Sequence, residues 1–249
     1  MDPNRFADLT YDGFRELARD ESLSLHEKVG FPDSYRAGKE EAILRDVRAK
    51  LSNLERPGRR VLDVGPGCSG VALGLLDWCR EKGHALTLID SAEMLALLPA
   101  EPFAAKLPGR FPEEHTAFLA ENRGRLDAIL VYSVVQYVFR ESNVFAFFDA
   151  CLELLAEGGQ LLIGDIPNLS MRKRFFSSAE GARFHQAFTG TGEVPAVAHN
   201  TLEPGHIDDA ALLGLVLRAR SAGYHAFLLP QAADLPMANR REDLLVHKP

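Results

Sequence analysis

Cysteine is scarce in this chain. Cys68, Cys79 and Cys151 are the only three, with no C-x-x-C spacing, so the sequence offers neither a disulfide framework nor a zinc site. Histidine, aspartate and glutamate form no dense pattern with ligand spacing, and no metal is expected. Excess positive charge is missing too. The formal net charge is -7, and a net negative surface repels phosphate backbones, so no nucleic-acid partner is expected. The basic pairs and triplets Arg59-Arg60, Arg172-Lys173-Arg174 and Arg240-Arg241 read as solvated surface. Long hydrophobic runs are absent. The longest nearly apolar stretch, 128–139, is broken by Ser133 and Gln136 and is too short for a bilayer. The opening residues MDPNRFADLTYDGF hold no basic segment followed by an apolar run. The expectation is a cytoplasmic protein in a reducing compartment, with no membrane partner.

What the chain does have is a rhythm. Its 249 residues suffice for one substantial domain and an extension. Residues 1–57 read as an N-terminal helical region, with Phe6, Leu9, Phe14 and Leu17 on one face. A second long helix is expected over 33–54, with Ile43, Val47 and Leu51 inward. Pro57-Gly58 closes this region. From 58 to 249, strands and helices alternate. Strands are expected at 60–64, 85–89, 103–107, 128–132, 160–164, 224–229 and 242–247. Helices fall between them, one of them over 69–82 despite Gly74 inside it. An insert at about 170–209 breaks the alternation after the fifth strand. The pattern predicts an α/β, doubly wound, mostly parallel sheet.

The first strand runs into a turn, RVLDVGPGCSG, at 60–70. Gly65, Gly67 and Gly70 match the dinucleotide fingerprint G-x-G-x-x-G. A glycine turn before a helix N-terminus shows only that a ligand approaches the backbone. Asp63, at the end of the same strand, points elsewhere, because a carboxylate repels a pyrophosphate and attracts an ammonium. Asp90, at the end of the second strand, can accept from ribose hydroxyls.

The ordered series of VLDVGPGCSG, LTLIDSAEML, LDAILVYSVVQYV, LLAEGGQLLIGDIP and the closing YHAFLLPQ…REDLLVHK resembles the class I S-adenosylmethionine-dependent methyltransferases, from about Arg60 to Pro249. The resemblance implies a seven-stranded sheet with an antiparallel last strand, residues 1–57 as an N-terminal helical lid over the cofactor, S-adenosyl-L-methionine as cofactor, and methyl transfer to a small-molecule acceptor. It places the cofactor against Asp63, Gly65, Gly67, Ser69, Asp90, Ser91, Met94, Gly109, Arg110, Phe111, Ser133, Gln136 and Tyr137. Two departures stand out. Ser69 replaces the usual third glycine, and Arg110 stands where the family often has an acceptor for the adenine amino group, so Phe111 is the candidate to stack on adenine. An NAD(P)-dependent reductase and a catalytically silent binding subunit stay open as alternatives.

A hydroxyl acceptor also needs its proton removed. Asp165 follows the fifth strand, and His185 and His199 lie in the insert over the site; these three are the candidate catalytic groups. Lys28, Tyr35, Arg36, Asn168 and Arg240 are the candidates to bind an anionic or sugar-like acceptor. A homo-oligomer is compatible with the sequence.

Overall fold

Seven strands form one sheet because each supplies apolar residues to both of its faces. In the computed structural model, which describes residues 9–201 and 203–249, they are β1 (Arg60–Val64), β2 (Ala85–Asp90), β3 (Ala104–Pro108), β4 (Leu126–Tyr132), β5 (Leu155–Pro167), β6 (His225–Pro230) and β7 (Arg241–His247). Their order is β3-β2-β1-β4-β5-β7-β6. All neighbours are parallel except β7, which runs antiparallel to β5 and β6. The expected doubly wound sheet with an antiparallel last strand is borne out.

Alternate residues enter opposite cores. Ala128 and Leu130 of β4 join one cluster with Val61, Leu88 and Leu162, while Ile129 and Val131 join the other with Leu62, Ile89 and Ile163. Burial on both sides is why these strands read as continuous apolar runs in the sequence. The first core is closed by α4 (Glu40–Lys50) and α5 (Gly70–Lys82), the second by α9 (Val144–Leu154) and α12 (Asp209–Ser221). Gly74 does not break α5. A Cβ there would lie 2.2 Å from Leu44 Cδ1 of α4, so glycine permits a close helix crossing.

The remaining elements differ from expectation in instructive places. The N-terminal region contains α1 (Tyr11–Arg19), α2 (Leu25–Lys28), α3 (Asp33–Arg36), α4 and a 3₁₀ turn at Ser52–Glu55. Phe6 lies outside the described residues. The long helix expected over 33–54 is divided, because Gly38 takes φ 75° between α3 and α4, a left-handed conformation no helix accommodates. Beyond β2 come α6 (Ala92–Ala96), α7 (Thr116–Asn122) and α8 (Val135–Glu141). In the insert, α10 (Leu169–Phe176) and α11 (Ala179–Thr189) are separate helices, since Ser178 caps the second by accepting from Gly181 N. Strand β5 is much longer than the expected 160–164. It starts at Leu155 and carries Gly158-Gly159 within it, next to a register shift against β4.

Candidate active site

Strand order reverses between β1 and β4, and the C-terminal ends of these strands open on a cavity of about 340 Å³. This is the topological switch point where open α/β sheets bind ligands. Gly65 and Gly67 take φ of 72° and 63°, in the left-handed region that favours glycine. A Cβ on Gly67 would lie 2.5 Å from Val29 Cγ1, so residues between α2 and α3 sit directly on the turn. Gly70 has a different job. It is absent from the cavity wall, and its Cβ would meet Glu40 Cγ at 2.7 Å. The third glycine of the fingerprint serves the packing of α4, not the ligand.

Two carboxylates face this cavity, Asp63 buried and Asp90 half-buried. Asp63 has no hydrogen-bonding or ion-pair partner among the described residues. Burial, with a smaller contribution from the charge of Asp90, pushes it up to about 8. Asp90 accepts from the backbone N–H of Gly67 (3.0 Å) and of Ser91 (2.6 Å). Burial still raises it to about 6 against those hydrogen bonds. Each carboxylate oxygen has a second lone pair, so Asp90 keeps capacity for further donors. An unpartnered carboxylate that wants a cation, beside one that can accept hydroxyls, fits a ligand with an ammonium group and a ribose.

The N-terminal helices wall the cavity with Tyr11, Phe14, Phe31 and Arg36. Phe14 packs edge-on against Tyr137 at 4.8 Å. Arg110 stands under the Tyr11 ring at 4.5 Å and approaches Asp12 and Glu141. It therefore ties α1 to the cavity rim. Phe111 lines the cavity but also meets Phe147 edge-on at 5.4 Å.

A polar knot lies under the other end. Arg36 Nη2 donates to Asp165 Oδ2 at 2.7 Å, and Arg241 Nη1 lies 2.8 Å from the same oxygen. Ser133 Oγ donates to Asp165 as well and accepts from Arg36 (2.7 Å). Asp165 N donates to Asp243, which Lys50 pairs at 2.6 Å. Ser133 and Asp165 both take φ 60°, a strain of about 1–3 kcal/mol per residue that the knot must offset. Burial pushes the Asp165 carboxyl up, but Arg241 and Arg36 outweigh it and hold the group below the usual carboxylate range. A carboxylate so held is a poor proton acceptor, so the geometry gives Asp165 a holding role in place of the general-base role expected for it.

Of the sequence-expected residues, Asp63, Gly65, Gly67, Ser69, Asp90, Met94, Gly109, Arg110, Phe111, Ser133, Tyr137 and Arg36 line the 340 Å³ cavity. Ser91 stays behind it and caps α6 by accepting from Met94 N. Gln136, Asn168 and Arg240 line a second cavity, which Tyr137 also borders. Tyr35 meets Phe188 of α11 at 6.3 Å. Lys28 is not available to an acceptor. Its ammonium is buried and donates to the carbonyls of Ala18 (2.8 Å) and Asp20 (2.5 Å) at the end of α1, where a cation offsets the helix dipole. His185 packs edge-on against Phe176 at 6.2 Å, and His199 is exposed; neither lines either cavity. Sequence reasoning missed Tyr11, Phe14, Val29 and Phe31, which only the return of the N-terminal chain over the turn brings there.

No family model matches the chain. Curated relatives include a 3-hydroxy-5-methyl-1-naphthoate 3-O-methyltransferase of Streptomyces sahachiroi, 25% identical over 149 residues, which are 59% of this chain and 42% of that one. A protein of Geobacillus sp. (strain WCH70) with a provisional methyltransferase name is 30% identical over 136 residues, 53% of each chain. The chain thus spans about half the length of these relatives. Among solved structures, the N-methyltransferase NodS from Bradyrhizobium japonicum WM9 in complex with S-adenosyl-L-homocysteine has a TM-score of 0.60 and 13% identity, covering 97% of this chain and 100% of that one. The plantazolicin methyltransferase BpumL has a TM-score of 0.56 and 13% identity, covering 96% of each. The fold is that of the class I S-adenosylmethionine-dependent methyltransferases.

Proposed function

We propose that the chain is an S-adenosylmethionine-dependent methyltransferase whose acceptor is a small molecule methylated on a hydroxyl, anionic or sugar-like elsewhere. The observation that carries the cofactor reading is the unpartnered Asp63 carboxylate facing the cavity at the glycine turn. It suits an ammonium and disfavours the pyrophosphate of a dinucleotide. When bound, S-adenosylmethionine supplies an activated methyl group. Asp63 would hold its ammonium and Asp90 its ribose hydroxyls. The S. sahachiroi relative supports, at a distance, an acidic aromatic hydroxyl as the acceptor.

The chain's own contribution is then alignment and exclusion of water. Helices α1–α3 act as the lid, with Phe14, Val29 and Phe31 closing the apolar side of the cavity. Burial raises Tyr137, and it raises Tyr11 to about 12, so both phenols stay protonated and serve as donors. Glu141 is committed to Tyr11 N at 3.0 Å. With no histidine among the described residues of the wall, the arrangement favours an acceptor whose proton leaves readily, such as a phenol, near the positive charge of Arg36.

Calorimetry with S-adenosylhomocysteine, NADH and NADPH tests the cofactor. Binding of only the nicotinamide cofactors would sink the reading. Labelled methyl transfer to a panel of hydroxyaromatic acids and sugar phosphates tests the acceptor. Cofactor binding with no transfer to any of them would leave a binding subunit instead.

A further inference from the structure

The second cavity, about 440 Å³, lies beside the first above the ends of β5 and β7. Tyr137 lines both. Arg140, Arg172, Arg240, Arg241 and His206 contribute to its wall, and among the described residues no aspartate or glutamate does. Arg172 stays exposed, as the sequence reading of its cluster has it, while Arg240 and Arg241 are half-buried and depart from that reading. Segments 68 positions apart in sequence converge on one concavity, and like charges held together repel.

Their balance is incomplete. Arg241 is paired with Asp165. Arg172 and Arg240 have no carboxylate within ion-pair distance among the described residues. They rest on aromatic faces instead. The Arg172 guanidinium stands 5.7 Å from the Phe176 ring centre, and that of Arg240 stands 5.8 Å from Phe176 and 5.5 Å from Phe184. Such contacts fix a guanidinium in place without neutralising it. Burial and the charge of Arg241 pull Arg240 below its ordinary range. Met237, also in the wall, takes φ 62°, a strained turn that delivers Arg240 and Arg241 to this face.

We propose that this cavity binds the anionic group of the acceptor, a carboxylate or a phosphate ester, and that the acceptor reaches past Tyr137 to present its hydroxyl in the first cavity. The proposal rests on the methyltransferase reading for its second half only. Planar guanidiniums suit both anions, since each offers paired oxygens to a donor fork.

The test is calorimetry on the full chain, with and without S-adenosylhomocysteine, at constant ionic strength, using benzoate and phenyl phosphate as probes. At least one probe binds the wild type, and which one distinguishes carboxylate from phosphate ester. The double variant Arg172→Gln, Arg240→Gln weakens that probe at least tenfold and leaves S-adenosylhomocysteine affinity within twofold. Arg172→Gln alone, which leaves the Arg240 contacts intact, weakens it severalfold and guards against misfolding of the double variant. Failure of both probes to bind the wild type, or unchanged binding in the variants, overturns the proposal. Anion binding without any S-adenosylhomocysteine binding would overturn the methyltransferase reading while keeping the anion site.

Discussion

Arg36 Nη2 lies 2.7 Å from Asp165 Oδ2, across 129 positions of sequence. This one ion pair joins the N-terminal helices to the fifth strand, and both partners are buried. Breaking a buried pair strands a charge and typically costs about 3–5 kcal/mol. Here Arg241 keeps a second hold on Asp165, so Arg36→Gln should cost roughly the lower end of that range. Asp165→Asn should cost more, because it leaves the buried Arg36 guanidinium and the half-buried Arg241 guanidinium without their shared carboxylate. Urea unfolding of both variants measures the order. Equal, small losses would mean that the pair does not fasten the N-terminal helices to the sheet.

Asp63 predicts a pH dependence of ligand binding. Ligand-free, its carboxyl is raised to about 8, so it is mostly protonated at pH 7. An ammonium ligand needs it ionised. Affinity for S-adenosylhomocysteine should therefore fall as pH drops below 8, by up to about tenfold per pH unit. Binding near neutral pH should release a proton, visible as a buffer-dependent enthalpy. The same raised value has a stability sign. The folded state holds this proton more tightly than the unfolded one, so the contribution of Asp63 to stability is lost as pH rises from about 4 towards 8. Asp63→Asn should flatten both profiles and weaken S-adenosylhomocysteine roughly 10- to 100-fold, the worth of a charged hydrogen bond. A pH-independent affinity in the wild type would remove Asp63 from the ammonium site.

The sheet was legible because its signals are local. Runs such as 128–132 and stop signals such as Gly83, which caps α5 at φ 65°, need no partner to be read. The glycine turn was legible for the same reason. What stayed hidden depends on long-range return of the chain. Nothing near Val29 shows that it will cover Gly67, and nothing near Arg36 shows that its partner is Asp165. Lys28 looked like a free cation because its acceptors are backbone carbonyls, which carry no residue code. Arg240 stood among the expected acceptor-binding residues, but nothing in the sequence joined it to Arg172; only the fold turns the two runs of charge towards one cavity.

The insert histidines predict a null effect on chemistry. His185 and His199 line neither cavity. If the acceptor hydroxyl is acidic enough to lose its proton without a histidine, His185→Ala and His199→Ala should keep kcat within about twofold, far from the 10²–10⁴-fold loss of a general base. Tyr137→Phe should act differently, since it removes a donor shared by both cavities, and should raise KM more than it lowers kcat. A large kcat loss in either histidine variant would require the insert to move onto the site during turnover.

His26 fastens the N-terminal helices to one another in a way that titrates. Its Nδ1 meets Asp33 at 2.9 Å and its Nε2 meets Glu40, so one imidazole bridges α2, α3 and α4. Burial lowers its proton affinity, but the hydrogen bonds and charges of Glu40 and Asp33 outweigh this and leave it raised above 6.5. A raised folded value means the clasp is at full strength below about 6.5 and weakens as pH passes through the folded value. Glu40 also carries the contact that Gly70 leaves room for, so loosening the clasp should loosen the chain over the glycine turn. Hydrogen exchange of residues 24–40 should accelerate from a pH below about 6.5 to one well above it, beyond the intrinsic chemical rate, with β4 and β5 unaffected. His26→Gln should exchange fast in this segment at both pH values and should lose the difference. Acceleration of the same size in His26→Gln would assign the effect to Asp63 or another group, and the imidazole clasp would have no part in holding these helices.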